Sequence, residues 1–132
     1  MSAGSPSSWN WVGLNVALAI HDRQLAEHGG ADGVRDLGAV ESALARPPNL
    51  AAYGHPDAAA LAAAYMYGLA MNHGFVDGNK RVAWVVGRLF LADNGCSLVF
   101  DPLVAIRVME GVAAGRVGEP ELAEWLRTRL RA

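Results

Sequence analysis

The run AAALAAAYMYGLAMN, residues 58–72, carries no charge and offers a helix almost no polar face. Leu61, Ala64, Tyr65, Gly68 and Leu69 fall on one side, and small residues crowd the others. A helix apolar all round has to be buried on all sides, so this segment is expected at the centre of a bundle, capped by Asp57 and running to about Asn72. Alanine carries no helix penalty, which suits the segment to that role.

The flanking patterns supply partners for it. Val12, Val16, Ala19 and Ile20 predict an amphipathic helix over about 9–28, closed by Gly29-Gly30. Asp36 suits the N-cap of a short helix with Leu37, Val40 and Leu44, stopped by Pro47-Pro48. After the central segment, Val82, Val85, Val86, Leu89 and Phe90 predict a helix from near Gly78 to Asn94-Gly95. CSLVF reads as a bend or a strand-like segment. Asp101-Pro102 and Glu119-Pro120 open two more helices, the last with Leu122, Trp125, Leu126 and Leu130 inward. The fold class is all-α: a single compact domain over 9–132 of about six helices, after a loose Ser/Gly/Pro-rich terminus at 1–8.

Composition narrows the function. With 132 residues and 52% hydrophobic content the chain has material for one core and is not a disordered type. A net charge of −2 gives no general attraction to nucleic acid or to an anionic membrane. No run approaches the roughly 20 apolar residues of a membrane span. The single cysteine, Cys96, fits a reducing compartment, and the expected location is the cytoplasm.

Between the two most apolar helices lies HGFVDGNKR, residues 73–81, which holds the only lysine in the chain. His73 ends the central helix and Gly78 begins the next, so the imidazole and a helix N-terminus stand close together. That terminus favours an anion, and Lys80 and Arg81 add two cations there. Cations in a first turn disfavour the helix by about 0.3–1 kcal/mol each, which points to a negative occupant. Phosphate suits it, with Arg81 binding in bidentate fashion and Lys80 as a point charge. Asp77 would oppose phosphate unless a Mg2+ ion bridged the two. A neutral His73 can accept the proton of an attacking hydroxyl. The set describes phosphoryl or nucleotidyl transfer.

Each residue also has an ordinary reading: Asp77 as an N-cap, Asn79 in a turn, Lys80 and Arg81 as a solvated face. It is their company within one loop that argues for chemistry. Phe75 is expected to anchor the loop in the core. His21, His28 and His55 show no ligand spacing with His73 and are expected at the surface or in caps. Asp36 is read as an N-cap, Arg35 as a loop anchor, and Arg127, Arg129 and Arg131 as solvated charges. A Walker A loop is excluded, because Asn79 separates Gly78 from Lys80.

HGFVDGNKR resembles the Fic/Doc signature H-P-F-x-D/E-G-N-x-R, and the lysine of G-N-K-R makes it more similar to the Doc branch. GGADGVRDLGAVESAL and LADNGCSLVF also look like that branch. The resemblance implies a toxin of a type II toxin–antitoxin pair. His73 would then be the general base, Asp77 the Mg2+ ligand, and Gly78, Asn79, Lys80 and Arg81 the anion-binding nest. Lys80, where Fic enzymes have glycine, implies an inverted ATP and transfer of its γ-phosphate to a protein hydroxyl. The implied target is elongation factor Tu, with arrest of translation. The alternatives are AMP transfer, as in Fic adenylyltransferases, and a catalytically silent module that binds an antitoxin. The inhibitory helix pattern S/T-x-x-x-E-G/N is not matched: Glu110-Gly111 comes closest, but Ile106 stands where Ser or Thr is needed. Inhibition is therefore expected from a separate Phd-like antitoxin. Gly74 replaces the family's proline, and no necessary role for it can be read from the sequence.

Overall fold

The computed structural model describes residues 8–132. The loose terminus expected over 1–8 falls almost wholly outside the described residues. Six helices follow in order: α1 (Leu14–His28), α2 (Leu37–Tyr53), α3 (Ala58–Asn72), α4 (Asn79–Asp93), α5 (Pro102–Ala113) and α6 (Glu119–Arg127). Two short strands, β1 (Ser97–Leu98) and β2 (Leu130–Arg131), pair antiparallel and close the C-terminus onto the segment after α4. The architecture is all-α.

As expected, α3 is the central helix. It touches α2, α4, α5 and α6, and ten of its residues, from Ala59 to Ala70, are buried. Close approach needs small residues on the neighbours too. At Gly87 of α4 a Cβ would stand 2.4 Å from Met66 Cε of α3, so the pair packs only because that side chain is missing. Such contacts recover the dispersion energy that makes a tight interior stable.

Four expectations need correction. The first helix starts at Leu14, not near Trp9. Residues 9–13 are held extended because the Tyr65 hydroxyl takes the Val12 N–H (2.9 Å) and donates to the Val12 carbonyl (3.3 Å). Asn94 brackets Asn10 in the same way. The buried side of α1 is also displaced: Ala17 and His21 are buried with Leu14 and Leu18 beside them, whereas Val16 is 44% exposed.

Second, α2 runs through Pro47-Pro48. Each proline removes a helix hydrogen bond, at about 3 kcal/mol in an isolated helix. Here Val40, Ala43, Leu44, Pro47 and Ala51 form one buried stripe against α3, and Arg46 donates to the Ala64 carbonyl (3.0 Å) and pairs with Glu119. Tertiary contact carries the helix past its breakers. Third, Leu130 lies in β2 and not in the last helix, which stops at Arg127.

Fourth, Arg127 is no merely solvated charge. Its Nε and Nη2 grip both carboxylate oxygens of Asp57 (2.7 and 3.0 Å), while Asp57 Oδ1 also caps α3 by accepting from Ala60 N (2.9 Å). The guanidinium hydrogen bonds, helped by the cap and opposed by burial, hold the Asp57 carboxyl below its ordinary range. The folded pKa lies below the unfolded one, so the stabilisation is present above about pH 4 and is lost as pH falls through the folded value. Asp57→Ala is expected to cost about 1–2 kcal/mol at pH 7, the sum of a cap and a surface pair. Urea denaturation at pH 7 and pH 3 should show that difference shrinking in acid.

Candidate active site

His73 is the C-cap of α3 and adopts φ 50, ψ 43, the only non-glycine residue with positive φ among the described residues. A side chain in this left-handed region costs about 1–2 kcal/mol. The turn sends the chain abruptly off the central helix and leaves the imidazole exposed, hydrogen-bonded to no group among the described residues. Strain of this kind persists where the surroundings fix it.

The surroundings do so from three directions. The Gly74 carbonyl accepts from the N–H groups of Arg35 (2.8 Å) and Asp36 (3.0 Å), and Val76 N donates to the Gly33 carbonyl (3.0 Å). Arg35 is thus a loop anchor through its backbone, and Asp36 caps α2 by accepting from Ala39 N (3.0 Å). Phe75 is buried, as expected. The Asn79 side chain reaches back to Phe75, accepting from its N–H and donating to its carbonyl, both at 3.0 Å. The side chain expected in the anion nest is therefore engaged in closing the loop, which leaves only the Asn79 backbone N–H for that role.

Gly78 is the N-cap of α4, in the left-handed region (φ 81) that glycine adopts without strain. The amides of Asn79, Lys80 and Arg81 have no intrahelical acceptor. No acidic residue occupies this first turn, and neither Lys80 nor Arg81 has an ion-pair partner among the described residues. Asp77 is exposed; its Oδ1 accepts from Gly78 N (2.8 Å) and its Oδ2 lies 3.3 Å from Ala31 N. The structure brings the six expected site residues together. His73, Asp77, Gly78, Asn79, Lys80 and Arg81 line one concavity of about 440 Å3, with Ala70, Val76 and Ala113.

Lys80 and Arg81 also border a second, mainly apolar groove of about 390 Å3 between α4 and α5. Trp84, Phe100, Pro102, Ala105, Ile106 and Met109 line it, together with Glu110. The two cations thus separate a polar hollow from an apolar one. Sequence patterns gave Trp84 and Phe100 no part in this, because the groove joins residues of α4, the β1–α5 connection and α5.

His21, expected at the surface or in a cap, is instead 2% exposed, and its Nε2 is 3.0 Å from the Asp77 carbonyl. Its ring lies 4.0 Å from that of Phe75 at 16°, a stacked pair. The only available signal was its place on the helix stripe of Leu14, Ala17 and Leu18. With Asp22 and Asp32 it forms the one group of three potential metal-donor side chains found among the described residues, with donor atoms within 4.8 Å of one another, but both carboxylates are exposed and Asp77 is outside the group. No helix among the described residues is long and apolar enough to cross a membrane.

Fold and site together define a small all-helical domain whose buried central helix ends in an exposed histidine beside a cationic helix N-terminus. The chain belongs to the Fic/DOC family, whose model matches residues 11–91, from the approach to α1 through the loop and nearly all of α4. Its relatives place it in the Doc branch. It is 33% identical over 111 residues to the protein kinase doc of Escherichia phage P1, covering 83% of this chain and 87% of that protein. It is 45% identical over 76 residues to the toxin Doc of Mycolicibacterium smegmatis, covering 55% of this chain and 58% of that protein.

Proposed function

We propose that the chain is a Doc-type toxin that acts in the cytoplasm as a protein kinase, moving the γ-phosphate of ATP to a hydroxyl of a translation factor. The observation that carries this reading is one hollow shared by a partner-free imidazole, three unsatisfied helix amides and two unpaired cations. Such a site is short of negative charge, and a triphosphate supplies it. The similarity to a relative named as a kinase supports the reaction class.

In this reading the incoming hydroxyl gives its proton to His73 as its oxygen bonds to the γ-phosphorus. The bond from that phosphorus to the bridging oxygen breaks, and ADP leaves. The α4 amides and Arg81 stabilise the charge on the transferring group. Lys80 adds a cation on a long stem where a glycine would leave room for phosphates, and this favours presentation of the γ-phosphate over the α-phosphate. Asp77 fits a Mg2+ ligand: it is exposed, and each oxygen keeps a lone pair beyond its one amide contact. Bound there, the ion would neutralise phosphate charge.

Elongation factor Tu is the target we infer from the family resemblance, with arrest of translation as the consequence. A Phd-like antitoxin is the inferred partner, since Ile106 breaks the built-in inhibitory pattern. Incubating the pure protein in a translation extract with ATP labelled at the α- or the γ-position tests the reaction. Only γ-label should enter protein, in a band at the size of the elongation factor. Incorporation of α-label instead would make the chain an AMP transferase, and incorporation of neither would remove both readings.

A further inference from the structure

We propose that His21 is a positioning residue for the Asp77 end of the active-site loop, an inference that rests on the functional reading above. The loop's backbone is fixed residue by residue. Gly74 is held by Arg35 and Asp36, Phe75 by Asn79, and Val76 by Gly33. The Asp77 carbonyl is held by His21 alone among the described residues, from 56 positions away in the chain. A carbonyl oxygen only accepts, so in this contact Nε2 is the donor.

Packing fixes the donor in turn. The imidazole is buried on the inward stripe of α1 and stacked on Phe75, itself 1% exposed. An aliphatic residue would continue the stripe of Leu14, Ala17 and Leu18 without a polar atom to satisfy. The ring therefore serves something beyond burial, and the atom it reaches belongs to the residue whose carboxylate stands at the rim of the hollow. The segment after α1 also touches that carboxylate: Ala31 N lies 3.3 Å from Oδ2, and a Cβ at Gly30 would stand 2.8 Å from it. Holding the Asp77 carbonyl fixes the peptide that leads into Gly78, hence both the carboxylate and the first amides of α4. Displacement of a reacting group by about 1 Å can cost on the order of 10²-fold in rate.

The test separates positioning from bulk stability. Nitrogen-15 spectra of the folded full chain should show a proton on Nε2 of His21; a ring protonated only at Nδ1 would overturn the proposal. His21→Phe keeps a stacked ring and removes the donor, while His21→Gln puts a side-chain N–H at the same reach without the ring. Amide exchange at Gly78 and Ala31, which bond the Asp77 carboxylate, should quicken at least about tenfold in His21→Phe, with the α3 core amides unchanged. His21→Gln should recover part of this. The kcat for γ-phosphate transfer should fall about 10- to 100-fold in His21→Phe, with the KM for ATP moving less. Unchanged exchange at those two amides, exchange quickened equally throughout, or a Gln variant no better than Phe would each show a merely structural histidine. If the wild-type chain transfers no phosphate, the functional reading fails, while the nitrogen-15 and exchange results still decide the placement of Asp77.

Discussion

His73→Ala should abolish γ-phosphate transfer, by about 10²- to 10⁴-fold, while the protein stays folded. The separation of activity from stability follows from the geometry. The imidazole is exposed and bonds to nothing among the described residues, so its removal leaves no buried group unpaired. The backbone at this position is left-handed, a conformation that disfavours any residue with a Cβ. His73→Gly should therefore be more stable than the wild type by about 1 kcal/mol and equally inactive. Equilibrium denaturation and transfer from γ-labelled ATP, measured on the same preparations, check both halves. Transfer within about tenfold of wild type in either variant would remove His73 from the role of general base. A glycine variant less stable than wild type would show that the left-handed turn is not a source of strain.

This pairing of strain with function explains why the site was easier to read than its supports. His73, Asp77, Gly78, Lys80 and Arg81 lie within one short stretch, and their chemistry conflicts with the apolar helices around them. Such a conflict is visible without coordinates. The central position of α3 was legible for a related reason, since a helix with no polar face has only one place to go. The caps Asp36, Asp57 and Asp101 were legible because each acts within three residues of itself.

What escaped the sequence acts at long range. Nothing local marks Val12 as the partner of Tyr65, yet that contact replaces a helical turn with extended chain. Pro47-Pro48 is a stop signal in isolation, and only the buried stripe of α2 overrides it. Arg127 and Asp57 are 70 positions apart, and His21 and Asp77 are 56. Leu130 kept the apolar spacing of a helix but pairs with Leu98 in a two-residue ladder. In each case the deciding partner lies on another element, where periodicity carries no information.

Gly74 shows the same lesson in its sharpest form and leads to the second large effect, this time on stability. A Cβ at this position would stand 2.4 Å from Val40 Cγ2, 3.1 Å from Val40 N and 3.3 Å from the Asp36 carbonyl. Gly74 is not among the positive-φ glycines, so the requirement is for space and not for conformational freedom. The loop lies directly on the first turn of α2, and its carbonyl takes the Arg35 and Asp36 amides only at that distance. Gly74→Ala should cost about 1–3 kcal/mol as an overpacking change, and it should lower transfer activity because the loop that carries His73 and Asp77 must shift. The valine side chain is the movable part of the clash. In a Val40→Ala background the same Gly74→Ala change should therefore cost much less, a coupling that a double-mutant denaturation cycle measures directly. Proline, the usual residue at this place in the family pattern, would bring the same Cβ. The glycine and the valine are thus one structural solution, and Gly74→Pro should be tolerated better in the Val40→Ala background than with the valine in place. If Gly74→Ala costs the same in both backgrounds, the backbone of α2 and not the Val40 side chain sets the limit.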